Sequence, residues 1–296
     1  MGSANPSSVP EATVDRLLSL LTAQGVSLPS YRALLDVSRC SQFMREFKLD
    51  VSVSLRAHSS PRFSLNDTGE PDDFRSRLHS HREQIGLSSS ELHRFLSLSP
   101  PGEVQTTLSL KWEDPLRTTL YFEELSRHPD PAVLRRSMFD EFLGVAPPRQ
   151  DRQLIALAVD YQGGVPVGLK EYAHADLAKQ PELAPTVAPL LMAHPRTLEK
   201  RAMIAQRYDL AGSLLGDKIL WVTEANSAQL AAKAWRHVAG MVKKLSFDEG
   251  TGWGLVRQWV EDWPYGPSVV PYPDLVSVNR RSDGQVEDLI LYLSLK

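Results

Sequence analysis

The sequence of 296 residues predicts an α/β fold built from repeats, namely a ten-stranded antiparallel closed β-barrel with a polar lumen and a surrounding ring of α-helices. Strand patterns come in pairs, the pairs recur five times, and helical patterns fill the gaps between them. The strands also alternate polar with apolar residues, which gives each strand one polar face. Ten antiparallel strands can close into a ring, which removes exposed edges and leaves a lumen for the polar faces to line.

Short alternating runs joined by Gly, Pro, Asp or Ser are typical of β-hairpins. The five predicted hairpins join strands 49–57 and 62–67, 106–112 and 117–125, 153–162 and 167–175, 203–212 and 218–225, and 274–281 and 286–296. The fourth pair has the weakest pattern. The apolar faces of these strands need a cover, which the helices between the hairpins can supply.

Helical patterns predict the covering layer: residues 11–25, 72–86, 88–98, 131–144, 176–194 and 227–245. Asp130 precedes Pro131 and is a plausible N-cap. No Pro-rich or Gly-rich linker divides the chain, so we expect a single domain over 11–296 after a disordered N-terminal tail of residues 1–10.

Composition excludes several classes of protein. The formal net charge is -3 and the pI is near 6.3, which argues against a general nucleic-acid or membrane-surface binder. No run of about 18 apolar residues predicts a transmembrane helix. The single cysteine, Cys40, excludes an internal disulfide and a cysteine-based zinc cluster. The N-terminus lacks the pattern of a signal peptide, and we expect a cytoplasmic protein.

Five hairpins separated by helices, with a polar bore, resemble the aromatic prenyltransferases of the ABBA, or PT-barrel, fold. The chain is most similar to the cyanobactin peptide prenyltransferases within that group. The stretches that carry the resemblance are LDVSV at 49–53, PRFSL at 61–65, GGVPVGLKEYA at 163–173 and VEDLILYLSLK at 286–296. The repeated organisation extends over roughly residues 45 to 296.

The resemblance implies a prenyltransferase that moves a prenyl group from an isoprenoid diphosphate to a peptide side chain or a small aromatic acceptor. Dimethylallyl or geranyl diphosphate would be the co-substrate, and Mg²⁺ would be the cofactor. The carboxylate carried over from the family is Asp50, which would orient the acceptor and take the released proton. No nucleic acid and no membrane are expected as partners.

Ionisation of an allylic diphosphate needs fixed positive charge at the leaving group and a π-rich wall around the allylic cation. Lys and Arg on the polar faces would bind the diphosphate, and Tyr rings would shield the cation. The candidate diphosphate-binding residues are Arg56, Arg62, Lys111, Lys170 and Arg281. The candidate shield is Tyr121, Tyr172 and Tyr292. Alternation places Lys170 and Tyr172 on one face of one strand.

Two other interpretations stay open. The first is a non-catalytic barrel of the same fold that binds a peptide or a hydrophobic ligand. The second is an open-sheet interaction protein, in which Lys170 and Arg62 would be solvent-exposed. Metal binding has little support, because His79 and His81 are two residues apart in a helical pattern and would lie on different faces. Asp72-Asp73 lacks the third aspartate of the magnesium motif of the α-helical prenyl synthases.

Overall fold

The computed structural model describes residues 48–55, 62–66, 71–83, 85–99, 104–111, 115–175, 202–222, 228–247, 252–254, 256–257 and 272–294. The predicted tail 1–10 and the predicted helices 11–25 and 176–194 lie outside these residues.

Ten strands form one antiparallel sheet in which each strand pairs with two neighbours. They are β1 Lys48–Ser54, β2 Arg62–Asn66, β3 Gln105–Lys111, β4 Arg117–Glu123, β5 Leu154–Gln162, β6 Val165–His174, β7 Ala202–Tyr208, β8 Leu214–Val222, β9 Tyr272–Arg281 and β10 Val286–Ser294. Consecutive strands pair throughout, and β10 also pairs with β1, so the strand order is that of a closed barrel. Each predicted hairpin corresponds to one consecutive pair of these strands.

Four α-helices of eight or more residues are described: α1 Pro71–Ser80, α2 Ser89–Leu96, α3 Pro131–Leu143 and α4 Ala228–Lys244. The start of α3 follows the sequence prediction, since Asp130 Oδ1 accepts a hydrogen bond from the Val133 backbone N–H at 3.0 Å. The helix ends at Gly144, whose φ of 65° lies in the left-handed region that favours glycine. The two helical patterns predicted at 72–86 and 88–98 correspond to α1 and α2, with a turn between them.

The apolar face of the sheet is buried beneath the helices. Phe122 of β4 stacks on Phe95 of α2 with ring centroids 4.2 Å apart, and both side chains are fully buried. Phe139 of α3 meets Tyr208 of β7 edge-on at 5.1 Å. Burying one such aromatic or aliphatic side chain contributes roughly 1.5–3 kcal/mol. Because side chains alternate along a strand, these contacts place the polar face of each strand on the side away from the helices.

The fourth hairpin differs from its prediction in the start of its second strand. Strand β8 begins at Leu214, four residues before the predicted residue 218. Asp209 explains the difference, because its Oδ1 accepts the backbone N–H of Ala211 at 2.9 Å and that of Ser213 at 2.8 Å. This side-chain-stabilised turn ends the first strand early. Lys218 consequently lies in the middle of β8.

Candidate functional site

Much of the polar face of the sheet is also buried. Its members alternate with the core residues of the same strands, and most are less than a tenth exposed: Ser54, Thr107, Ser109, Thr119, Asp160, Lys170, Lys218, Ser277 and Asn279. An open sheet would leave these side chains in bulk water. Lys170 in particular is only 4% exposed, which contradicts the open-sheet interpretation.

A carboxylate organises this face where β4, β5 and β6 pair. Asp160 Oδ1 accepts hydrogen bonds from Lys170 Nζ and from Thr119 Oγ1, each at 2.6 Å. Asp160 Oδ2 accepts from Arg117 Nη2 at 3.0 Å. The register accounts for the contacts, because Asp160 is directly opposite Thr119 on one side and Gly168 on the other. Arg117, Thr119, Asp160 and Lys170 are termed the Asp160 cluster below.

The charges of the Asp160 cluster stabilise one another. Burial by itself would raise the pKa of Asp160, but Lys170, Arg117 and the hydroxyl of Thr119 hold that pKa well below its ordinary range. The carboxylate is therefore ionised at any pH near neutrality. Lys170, which the sequence predicted as a diphosphate ligand, has its positive charge balanced by Asp160.

Two guanidinium groups, that of Arg117 within this cluster and that of Arg207 beside it, have an N–H group without an acceptor among the described residues. Within the described residues, Nε of Arg117 and Nε of Arg207 are buried and make no hydrogen bond. Arg207 is directly opposite Lys170 in the β6–β7 register and directly opposite Gly216 in the β7–β8 register. A Cβ at Gly216 would come within 3.5 Å of Arg207 Nη2, so the glycine leaves room for the guanidinium. Buried charged donors of this kind call for an anionic acceptor.

Lys218 continues the row of cations on β8. It is 7% exposed and is directly opposite Ala205 of β7 and Asn279 of β9. Because Lys218 is two residues after Gly216, the two residues lie on the same face of β8. Arg117, Lys170, Arg207 and Lys218 thus place four positive charges on β4, β6, β7 and β8, and Asp160 forms ion pairs with two of them.

An aromatic pair adjoins the cations. The rings of Tyr121 on β4 and Tyr172 on β6 lie 6.0 Å apart at 51°. Tyr121 is two residues from Thr119, and Tyr172 is two residues from Lys170, so each ring follows the Asp160 cluster on the same face of its strand. Both are half-buried. The faces of such rings attract cations, and the structure brings this predicted pair together.

Glu171, between Lys170 and Tyr172, lies on the opposite face of β6. It is 1% exposed and accepts hydrogen bonds from Arg135 of α3 and from the Tyr208 hydroxyl, the latter at 3.1 Å. Burial and the nearby Glu171 carboxylate raise the pKa of Tyr208. The pair of Glu171 with Arg135 therefore attaches α3 to the strand that carries Lys170 and Tyr172.

The remaining candidates from hairpins one and two are known by strand position alone. Asp50 pairs in register with Ser64 and Ser294. Arg62 and Lys111 pair in register with Ser52 and with Arg117, respectively. The side chains of Asp50, Arg62 and Lys111, and the whole of residue Arg56, lie outside the described residues.

The candidates of the last hairpin are near the surface or half-buried. The side chain of Arg281 is 59% exposed, and its Nε lies 3.8 Å from a Glu287 carboxylate oxygen. The adjacent Arg280 is buried on the other face and forms a two-bond pair with Asp217. Tyr292 is half-buried in β10.

Sequence reasoning missed four of the charged residues on this face: Arg117, Asp160, Arg207 and Lys218. Alternation places Lys218 on the polar face only once the start of β8 is known. Asp160 could have been found as the one acidic residue in the mostly apolar run LIALAVDYQ. The described residues contain no group of three or more His, Cys, Asp or Glu that could hold a metal ion. None of the described helices combines the length and apolarity that a bilayer crossing requires.

Comparison with known proteins gives a likeness of structure alone. No protein-family model matches the sequence, and no curated protein is similar to it. The solved structure of NotF prenyltransferase aligns with a TM-score of 0.50 at 12% identity, over 84% of this chain and 80% of that one. NotF in complex with brevianamide F and DMSPP gives 0.51 at 13% identity, over the same shares. AnaPT from Neosartorya fischeri gives 0.48 at 14% identity, over 83% of this chain and 77% of AnaPT. The chain therefore has the fold of the NotF prenyltransferase.

Proposed function

We propose that the protein is a prenyltransferase that binds an isoprenoid diphosphate within its ring of strands and transfers the prenyl group to an aromatic or peptide acceptor. The observation that carries the proposal is the row of four buried or half-buried cations, two of which have an N–H group with no acceptor in the part of the chain that the structure describes. The fold shared with NotF agrees with this activity but does not by itself establish it.

The proposal requires the ten strands to enclose a polar lumen of the ABBA type, with helices around it. Pairing of β10 with β1 and burial of both faces of the sheet support this arrangement. Within the lumen, the diphosphate would contact the four cations carried by β4, β6, β7 and β8. Lys111, opposite Arg117, and Arg62 would extend the site, and Arg56 and Arg281 remain proposed ligands.

The chemistry follows from the order of groups along the strands. The bond between the allylic carbon and the diphosphate oxygen breaks, and its electron pair leaves with the diphosphate, whose growing negative charge the cations stabilise. The allylic cation then lies against Tyr121 and Tyr172, with Tyr292 proposed as a third shielding ring. Burial of the face keeps bulk water from the cation.

The acceptor is proposed from two sources. The complex of NotF with brevianamide F and DMSPP suggests an aromatic acceptor. The resemblance to the cyanobactin enzymes suggests a peptide side chain instead. In either case Asp50 is the proposed carboxylate that orients the acceptor. Dimethylallyl and geranyl diphosphates are the proposed donors.

The described carboxylates do not fit a protein-held Mg²⁺. Both oxygens of Asp160 already accept hydrogen bonds from Lys170, Thr119 and Arg117, and the described residues contain no group of three or more His, Cys, Asp or Glu that could hold a metal ion. Mg²⁺ prefers several oxygen ligands in octahedral geometry. We therefore derive no step of the reaction from a metal, and Mg²⁺ stays a prediction from the resemblance.

Titration with a non-reactive thio-diphosphate analogue of dimethylallyl diphosphate tests the proposal. We expect Arg207→Met and Lys218→Met each to weaken binding at least tenfold, because each removes one positive charge from the row that would contact the diphosphate. Lys243→Met, on the exposed end of α4, is the matched control and should bind as the wild type does. Equal binding by all four proteins, or no binding by the wild type, would contradict the proposal.

A non-catalytic barrel is the second candidate, and one observation favours it: Asp160 already forms ion pairs with two of the cations. Mass spectrometry separates the two functions. The protein is incubated with dimethylallyl or geranyl diphosphate and with brevianamide F or a panel of peptides. A mass gain of one prenyl unit on an acceptor supports the transferase. Tight binding of diphosphate without any product supports the binding protein.

A further inference from the structure

We propose that Glu123 accepts the proton that the acceptor releases when it is alkylated. This inference rests on the proposed function and identifies a residue that the sequence did not. Glu123 is the last residue of β4, the strand that also carries Arg117, Thr119 and Tyr121.

Strand β4 presents four groups in a fixed order on one face. Arg117, Thr119, Tyr121 and Glu123 are each two residues apart, so their side chains leave the same face of the strand at intervals of about 7 Å. The first two belong to the Asp160 cluster, and the third belongs to the aromatic pair. An acceptor ring beside Tyr121 would therefore have the leaving group on one side and the Glu123 carboxylate on the other.

The surroundings of Glu123 suit a proton acceptor. Burial raises the pKa of its carboxyl group, the Thr107 hydroxyl opposes that shift, and the Glu124 carboxylate adds to it. Within the described residues, no Lys, Arg or His forms an ion pair with Glu123. A carboxylate with a raised pKa is a stronger base than an ordinary one, and general-base efficiency rises with basicity.

The contrast with Asp160 strengthens the assignment. Both carboxyl groups lie on the polar face, but cations hold the pKa of Asp160 low, whereas burial holds that of Glu123 high. Two carboxyl groups whose pKa values are driven apart by their surroundings commonly take different roles in one mechanism. Asp160 is saturated by three donors, so it is a poor base and serves the diphosphate end. Glu123 is therefore the carboxylate that can accept the proton.

The step balances as an electrophilic substitution. A ring carbon of the acceptor supplies two π electrons to the allylic carbon, and the new carbon–carbon bond forms. The same ring carbon then gives up its hydrogen as a proton to the Glu123 carboxylate, and the electrons of that carbon–hydrogen bond restore aromaticity. The diphosphate has already left with the electrons of the broken carbon–oxygen bond. Glu123 returns the proton to water when the product leaves.

Glu123→Gln, which keeps the shape and removes the base, tests the assignment, with brevianamide F and dimethylallyl diphosphate as probes. We expect alkylation to fall at least 100-fold while affinity for the thio-diphosphate analogue and hydrolysis of the donor stay within twofold of the wild type. Removal of the proton should also become rate-limiting. A primary kinetic isotope effect of at least 2 should then appear with the acceptor deuterated on its aromatic carbons. Glu124→Gln, at the next and exposed position, is the matched control.

The outcomes separate this inference from the proposed function. A wild-type protein that does not bind the analogue overturns both. Binding without alkylation of brevianamide F overturns the role of Glu123, because no proton is then released from an aromatic acceptor, but leaves the diphosphate site standing. Alkylation that survives in Glu123→Gln with no isotope effect overturns the role of Glu123 alone, and the same losses in Asp50→Asn would move the proton to Asp50.

Discussion

Asp160→Asn is the substitution that the structure predicts most fully. The change keeps the shape of the side chain and removes its charge, so the buried Lys170 and the half-buried Arg117 lose their shared counter-ion. Breaking one partner out of a buried ion pair typically costs about 3–5 kcal/mol of unfolding free energy. In a domain of this size that cost corresponds to a fall in Tm of about 6–10 °C.

The same substitution should strengthen the binding of inorganic diphosphate. A phosphate oxygen that reaches the Lys170 ammonium from the side opposite Asp160 would lie about 6 Å from the carboxylate, where two unit charges repel by about 3 kcal/mol at an effective dielectric constant of about 20. Removing that repulsion should tighten binding by about one to two orders of magnitude. Saturating diphosphate should also recover most of the lost Tm, because ligand binding to the folded state stabilises it.

Calorimetric titration and thermal unfolding measure both effects. Asp151→Asn is the control, since Asp151 is 83% exposed and pairs at 3.5 Å with an equally exposed Arg149, and neither quantity should change. The pKa of Asp160 is lowered in the folded state, so its stabilising effect is present above the ordinary carboxyl range and is lost as the pH falls through the folded value. The Tm gap between wild type and variant should therefore close on acidification. An Asp160→Asn protein that is as stable as the wild type at pH 7, and binds diphosphate no tighter, would refute the reasoning.

Three further predictions concern stability. Glu123→Gln should raise Tm at pH 7, because the folded state disfavours the charged carboxylate, and the gain should vanish below the ordinary carboxyl pKa; an unchanged or lower Tm at pH 7 contradicts the burial of this group. Gly168→Ala should lower the unfolding free energy by about 1–3 kcal/mol, because the new Cβ would lie 2.5 Å from the Tyr208 carbonyl oxygen, whereas Gly240→Ala in α4 meets nothing within 4 Å and should raise it; denaturant titration measures both. Arg135→Met should lower the Tm by several degrees, since it leaves Glu171 buried without its cation, yet diphosphate affinity should not change, and a change would place Arg135 in the binding site.

Alternation along single strands was sufficient to predict much of the fold and part of the site. The repeated pattern predicted all ten strands, and it placed Lys170 and Tyr172 on one face because that relation lies within one strand. The same rule predicted a role for Arg281, which the structure places at the exposed end of β9. A strand pattern does not reveal where the strand reaches solvent.

Contacts between side chains of different strands could not be predicted from the sequence pattern. Tyr121 meets Tyr172 only because β4, β5 and β6 are consecutive in the sheet and paired in one register. The bonds of Asp160 depend on that same register, which contains an irregularity between Asp160 and Tyr161. Lys218 escaped notice because the hydrogen bonds of Asp209, which end the preceding strand, are not evident from hydropathy.

If the protein acts as the proposed transferase, the internal counter-ion of the Asp160 cluster has a consequence for turnover. A catalyst of this kind must empty its charged pocket in every cycle, and bare cations in a water-poor interior would hold on to the inorganic product. The Asp160 carboxylate bonds to Lys170, Thr119 and Arg117, so the cluster carries its own counter-ion. In the proposed transferase, this carboxylate would partly offset the cations before the donor binds, and its repulsion of the diphosphate product would favour release of that product.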